Sequence, residues 1–232
     1  MRTGSPPRVM TGLENLCFNP ITGKKLKGRR LGLLSNPASI DSNFRHASRV
    51  INQIYPGQLK ALFSPQHGFH AEKQDNMIES DHALDSLLNI PIFSLYSATR
   101  VPTEEMFDLI DTLVVDIQDV GTRVYTFIYT ISYCLEAAAK YGKEVVILDR
   151  PNPIGGVAVE GNILKQNYSS FVGRFPIPMR HALTVGEIAT LFNSRFIAGE
   201  ESIAELGKIG GGKKSTEKTK VSGKKCDLKV IP

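Results

Sequence analysis

Thr112-Leu-Val-Val-Asp-Ile-Gln-Asp-Val-Gly-Thr-Arg-Val-Tyr-Thr126 decides how the rest of the chain is read. It opens as a short valine-rich run, the mark of a strand buried on both faces of a parallel sheet. It then breaks into Asp116, Gln118, Asp119, Gly121 and Arg123, and a strongly apolar segment follows at once. In open α/β sheets ligands gather at the carboxyl ends of strands, where loops are free of sheet pairing. Two acids, an amide and an arginine in such a place are costly to desolvate unless they contact something. Taken singly, Asp119 reads as a helix cap and Arg123 as a partner for Asp116. Taken together, the cluster reads as a site.

Outward from this stretch the chain alternates strands and helices. Strands are expected near 31–35, 59–63, 91–95 and 144–148 besides 112–117. That alternation predicts an α/β fold: one mainly parallel sheet of about five or more strands, with helices on both faces. The segment 44–54 reads as a helix with Phe44, Ala47, Val50, Ile51 and Ile54 on one face. Thr103 is placed to cap a helix over 104–109, with Glu104 and Glu105 in its first turn. The segment 125–141 is apolar nearly all round, so it predicts a buried helix with Cys134 in the core and Gly142 as its C-cap. Thr184-Val-Gly-Glu187 is a capping box opening a helix that runs to about Phe196, which gives Glu187 a structural role.

Polar residues collect after the other strands as well. Asn36 follows the first, and Gln66, His67 and His70 follow the second. Glu72, Asp75, Glu79 and Asp81 come within a few residues of them. The strand at 144–148 ends in Asp149-Arg150-Pro-Asn152-Pro-Ile-Gly-Gly156, an extended and sharply turning loop. Its glycines do not form the spaced dinucleotide fingerprint, so a nicotinamide cofactor is not expected. Glu160 stands among small apolar residues, where desolvation is expected to raise a carboxyl pKa. Arg180 and His181 precede the capping box and can approach an anionic group at a helix N-terminus. Tyr125, Tyr129 and Tyr133 share one stripe, and the ring nearest the strand end, Tyr125, is the candidate for ligand contact. His67 and His70 invite a metal reading, but no third ligand stands at a matching spacing, so no metal is expected.

Composition narrows the classes further. The chain has 232 residues, 41% hydrophobic and 22% charged, ordinary for a globular protein. Its net charge of +5 is misleading. Residues 206–232 hold eight lysines against Glu217 and Asp227, a net of +6, which leaves −1 for residues 1–205. The body is thus near neutral, and no nucleic-acid partner is expected. No apolar run approaches the roughly 20 residues that span a bilayer. Residues 1–17 show no apolar core of a secretory signal. The three cysteines match no metal or redox spacing. Residues 206–225 are lysine- and glycine-rich and expected to be mobile, so their deletion is expected to leave the melting temperature of the body nearly unchanged. Cys226 to Pro232 reads as the opening of a further strand. The division expected is therefore a catalytic-type domain over 1–205 and a tail over 206–232 that ends where a second domain would begin.

Five segments in order resemble one family: Leu62-Phe-Ser-Pro-Gln-His-Gly68, Val115 to Arg123, Leu148 to Gly156, Val159-Glu-Gly161, and Pro178-Met-Arg-His181 with Thr184-Val-Gly-Glu187. Together they are similar to the NamZ-type exo-β-N-acetylmuramidases, bacterial glycoside hydrolases long known as a domain of unknown function. The resemblance covers about residues 12–200 and resumes at Cys226. It implies a Rossmann-like N-terminal domain followed by a second α/β domain. It also implies release of β-linked N-acetylmuramic acid from the non-reducing ends of peptidoglycan fragments. Members of the family are often exported. Many carry glutamate where this chain has Gln66.

Glycoside hydrolysis usually requires two carboxyls flanking the bond, one protonated and one ionised. Asp116, Asp119 and Glu160 are the candidates, with Glu72 and Glu79 in reserve. Arg123 or Arg150 suits the lactyl carboxylate of muramic acid through paired hydrogen bonds. Asn36, Asn152 and Tyr125 suit hydroxyl or acetamido groups. Gln66, His67, Asp149 and His181 are expected to share the same cleft. Two other readings stand beside the hydrolase: a sugar- or muropeptide-binding module, favoured by Gln66, and a metal-assisted hydrolase using His67 and His70. With the strand at 226–232 read as having no successor, the cleft is expected to stay open and turnover to be slow.

Overall fold

The computed structural model describes residues 9–69, 81–97, 99–197 and 224–232. Helices α1 (Gly12–Phe18) and α2 (Pro20–Gly23) lead to strand β1 (Leu31–Ser35). Helix α3 (Ala47–Ile54) follows, then β2 (Leu59–Ser64), β3 (Ala83–Asp85) and β4 (Ile90–Ser94). Next come α4 (Glu104–Asp108), β5 (Thr112–Asp116), α5 (Phe127–Tyr141) and β6 (Glu144–Leu148). Helix α6 (Val185–Leu191), continued by a π-helical segment at Phe192–Ile197, and strand β7 (Asp227–Ile231) complete the order.

Among the described residues seven strands form one sheet in the order β3-β4-β2-β1-β5-β6-β7. All neighbours are parallel except β3 and β4. The mainly parallel α/β sheet read from the chain is therefore the one observed. The apolar strands are buried on both faces because successive side chains point to opposite sides. Leu113, Val115, Val145 and Ile147 join α4, α5 and α6 in one core cluster. Val114, Val146, Leu31 and Leu33 join α1 and α3 in the other. The chain winds outward from β1 through β2 to β4, then returns to β5 and winds the other way. Strand order thus reverses between β1 and β5, the point at which open α/β sheets place their ligand crevice.

Local signals account for several element ends. The Thr103 side chain accepts from the Met106 amide, and the Thr184–Glu187 capping box forms as expected. Gly142 ends α5 in the left-handed conformation (φ 66°). Helix α5 is buried along its length, with Cys134 fully enclosed. Phe175 closes that side of the core, its ring 4.4 Å from Phe192 and 4.9 Å from Phe196.

Three expectations need correction. Phe44 does not belong to the apolar face of α3. The Asp41 carboxylate accepts from the Asn43 and Arg45 amides, a turn that delays the helix to Ala47. Phe44 is left at φ 59° and 84% exposed. Secondly, the strand at 227–231 belongs to the same sheet as the strands before it. It pairs in parallel with β6 over its whole length and forms the sheet's edge. Burial of Ile231 and the contacts of Lys229 with Glu144 anchor it. Glu144 itself is buried at the start of β6 and also accepts from Thr112 Oγ1 (3.0 Å) and Arg29. Thirdly, β3 was not anticipated, because a three-residue edge strand carries too little pattern. The mobile-tail expectation covers residues 206–225, of which 206–223 lie outside the described residues.

Helix α1 shows how tightly the edge is assembled. The Gly12 amide donates to Asp149 O (2.7 Å), and the Asp149 amide donates to Ile231 O (2.7 Å). A Cβ on Gly12 would run into the backbone at Asp149 N and Ile231 O, which cannot rotate away. Gly12→Ala is therefore expected to cost about 1–3 kcal/mol of overpacking strain. A urea unfolding midpoint unchanged from the parent would show that α1 is not seated there.

Candidate active site

The loops after β5 and β6 and the turn before α6 meet over the carboxyl edge of the sheet. Their meeting leaves a small depression lined by Asp119, Arg150, Asn152, His181, Thr184 and the apolar side chains of Leu183, Val185 and Ile188. Four of the residues singled out from the sequence thus share one place.

Behind it, Asp116 ends β5 fully buried, and Arg150 grips it. Arg150 Nε donates to Asp116 Oδ1 at 2.5 Å and Nη2 to Oδ2 at 2.9 Å. Nη2 also donates to Ile40 O (3.0 Å). Burial holds the Asp116 carboxyl above its usual range, and the guanidinium offsets only part of that rise. Arg150, not Arg123, is thus the partner of Asp116. Both carboxylate oxygens are spent on the pair, and Ser39 Oγ donates to the backbone oxygen of Asp116. Neither Asp116 oxygen is thus open to solvent, and the carboxyl ties the end of β5 to the loop after β6.

Arg123 is 5% exposed and ties down the loop after Asn162. Its Nη1 donates to Asn162 O (2.6 Å) and Ile177 O (2.8 Å), and its carbonyl accepts from Tyr129 Oη (2.7 Å). Neither arginine expected to hold a sugar carboxylate stands open to solvent. The physical reason is shared: the polar backbone of long loops lying over the sheet needs buried donors, and these guanidiniums supply them.

Asp149 is likewise committed. Oδ1 accepts from the Gly186 amide (2.7 Å) and Oδ2 from Thr184 Oγ1 (2.7 Å), so it holds the first turn of α6. Asn152 spans two loops, donating to Leu183 O (3.0 Å) and accepting from Ile154 N (3.0 Å). Gly121, at φ 85°, lies against it, and a Cβ there would strike the Asn152 side chain. Asn36 donates from its side chain to Gln118 O (3.0 Å) and from its backbone amide to Ser39 Oγ (2.9 Å), closing the crevice between β1 and β5 with the protein's own bonds.

Gln66 Oε1 accepts from Thr126 Oγ1 (2.9 Å), which fixes the loop after β2 against the start of α5. His67 sits in the same turn at φ 78°. Tyr125 is partly exposed, its ring 5.0 Å from Phe127. Glu160 corrects an expectation: its side chain is 64% exposed and pairs with Arg180 at 2.8 Å. It projects from a backbone bridge to Arg180 and so escapes the burial that its small apolar neighbours suggested. It does not line the depression. Glu72 and Glu79, and His70 with them, lie outside the described residues.

Asp119 and His181 differ from the rest. Both are nearly fully buried, and His181 Nε2 lies 4.0 Å from Asp119 Oδ2. Asp119 Oδ2 accepts from the Gly121 amide (2.7 Å). Asp119 Oδ1 and His181 Nε2 have no hydrogen-bond partner among the described residues. Buried polar atoms are seldom left so. Desolvation pushes the Asp119 carboxyl up to about 6, outweighing the Gly121 amide. Burial pushes the His181 imidazole down, favouring its neutral form. Ala182 takes a left-handed backbone (φ 57°), which turns the Leu183 amide onto His181 Nδ1 (3.2 Å). Sequence reading passed over Thr126, Ser39 and Leu183: the hydroxyls of Thr126 and Ser39 meet partners far along the chain, and Leu183 acts through its backbone, so none leaves a local signal.

A doubly wound, mainly parallel sheet with a buried carboxyl in a depression at its carboxyl edge defines the class, an α/β protein. The chain belongs to the family described as exo-β-N-acetylmuramidase NamZ, N-terminal, whose sequence model matches residues 31–232. It is 44% identical over 195 residues to the peptidoglycan β-N-acetylmuramidase NamZ of Bacillus subtilis (strain 168), covering 84% of this chain and 46% of that protein. It is also similar to crystal structures of two DUF1343 family proteins from Bacteroides fragilis NCTC 9343. One superposes with a TM-score of 0.77 at 36% identity, covering 97% of this chain and 50% of the other. The second gives 0.70 at 32% identity, covering 97% and 52%. The chain thus spans about half the length of the relatives it matches.

Proposed function

We propose that this chain carries the glycoside-hydrolase chemistry of its family, the release of β-linked N-acetylmuramic acid from the non-reducing ends of peptidoglycan fragments. The observation that carries the reading is the buried Asp119 carboxyl in the depression at the carboxyl edge, held up to about 6 by desolvation. A glycosidic oxygen needs a proton donor as its bond to the anomeric carbon breaks, and a carboxyl that stays partly protonated near neutral pH supplies one. Asp116 suits that role less well, because both its oxygens accept from Arg150. Asn152 and Tyr125 remain the side chains suited to sugar hydroxyl or acetamido groups.

A second reading rests on Gln66. Where many relatives carry an acid, this amide has no acidic proton to give, and its oxygen is held by Thr126. That favours binding of a muramic-acid-containing fragment without turnover.

Incubation with a chromogenic β-N-acetylmuramide, with and without a chelator, separates the readings. Release of chromophore with free N-acetylmuramic acid, unaffected by chelator and at least about tenfold faster than with the β-N-acetylglucosaminide, is the expected result. The discrimination follows from a site that must bury a lactyl group. Saturable binding without release would install the binding-module reading. Loss of activity on chelation would install metal-assisted hydrolysis.

A further inference from the structure

We propose that His181 is the positioning partner of Asp119, a fixed donor that closes on the Asp119 carboxylate when its proton leaves. The inference rests on the hydrolase reading for its consequence but on the geometry for its substance. His181 Nδ1 already accepts from the Leu183 amide at 3.2 Å. A neutral imidazole has one proton, so an accepting Nδ1 places that proton on Nε2. Nε2 is the atom that faces Asp119 Oδ2 across 4.0 Å, and it is without a partner among the described residues. A donor and an acceptor, each nearly fully buried, thus face each other about 1 Å beyond hydrogen-bonding range.

That separation suits a carboxyl that changes charge. While Asp119 is protonated, little draws the two together. When the glycosidic C–O bond breaks, the leaving oxygen takes the Asp119 proton and a buried carboxylate remains. Nε2–H then donates to it, and a charge-assisted hydrogen bond replaces the water that burial excludes. The water that adds to the anomeric carbon provides the proton that restores Asp119. His181 stays neutral throughout and keeps its own proton. Arg180, next to His181, pairs through Nη1 with Glu160 and through Nη2 with Ile154 O, while its Nε has no partner among the described residues. The other charged and titratable groups named for the site have partners of their own. Arg150 and Asp116 hold each other, Arg123 holds loop carbonyls, Tyr129 Oη donates to Arg123 O, and Asp149 caps α6. Arg150 and Arg123 are thus spent, and the guanidinium of Arg180 is turned to Glu160 and Ile154.

The test is the titration of Asp119 by carboxyl-carbon NMR in the whole chain, together with the nitrogen shifts of His181. The parent should show a neutral His181 with its proton on Nε2. His181→Leu should move the Asp119 midpoint up by about one pH unit, the tenfold worth of a lost hydrogen bond to a charged group. His181→Gln keeps a donor and should restore most of the shift, which also covers a failure of the leucine variant to fold. In turnover, His181→Leu should lower kcat about tenfold with KM little changed, and the acid-dependent limb should follow the NMR midpoint. An Asp119 midpoint unmoved in both variants, or an Nδ1-protonated His181, would overturn the pairing whatever the activity. A coupled pair in a chain that hydrolyses no muramide would leave the pairing standing and remove the hydrolase reading instead.

Discussion

Arg150→Met is expected to destabilise the fold by about 3–5 kcal/mol, because it leaves the Asp116 carboxylate buried and unpaired. Asp116 is 0% exposed, and both its oxygens accept from this one guanidinium. The second half of the expectation distinguishes lost pairing from lost packing. Adding Asp116→Leu to Arg150→Met removes the orphaned charge and should recover most of the loss, since apolar replacements of buried ion pairs are often neutral. The Ile40 carbonyl would still lack its donor, so recovery should stop short of complete. Guanidinium unfolding of the two variants measures this. A double variant no more stable than the single one would mean that the pair contributes through shape and not through charge.

Asp119→Asn should separate stability from turnover. The folded carboxyl titrates near 6 and an unfolded one near 3.8. Between those values the folded chain binds more protons than the unfolded chain, so stability falls as pH rises through that window. Above about 6 the full penalty stands, at most about 3 kcal/mol by the usual conversion of pKa difference. The amide carries no such charge, so Asp119→Asn should gain up to that amount at pH 7 and nothing below about pH 4. Its loss of the proton donor should lower kcat on the β-N-acetylmuramide about 10²–10⁴-fold with little change in KM. A variant destabilised equally at pH 4 and pH 7 would show that Asp119 is not desolvated in the folded chain. Undiminished turnover would move the acid role to another carboxyl.

The two experiments bear on different parts of one design. Arg150 and Asp116 hold the strand ends together, and Asp149 seats the first turn of α6 beside them. Among the buried side-chain atoms left without a partner among the described residues, Ser35 Oγ, Asp119 Oδ1, Arg180 Nε and His181 Nε2, those of Asp119 and His181 belong to residues that line the depression. A protein seldom retains two orphaned atoms in such a place without use, and that is why they, and not the better-paired acids, carry the functional reading.

The sequence by itself determined the sheet and most of its helices. Strands β1, β2, β4, β5 and β6 are short apolar runs between turn signals, and α5 is apolar all round. Each pattern is local and reports burial directly. The caps at Thr103, Thr184 and Gly142 were legible for the same reason, since a cap is a contact within one turn. The five ordered segments also pointed to the family. Only the tertiary structure decided which polar residues meet. Arg150 reaches Asp116 because β5 and β6 are neighbours, a fact of strand order that leaves no mark near either residue. Glu160 was misread because its burial depends on where its loop lies and not on its neighbours in sequence. Strand β7 gained its place only through pairing with β6, and its seven-residue signal did not say to which sheet it belongs. The Asp119–His181 approach depends on a left-handed residue at Ala182 and a glycine turn at Gly121. Secondary structure is written in near neighbours, whereas a site is made by loops whose ends the whole sheet positions.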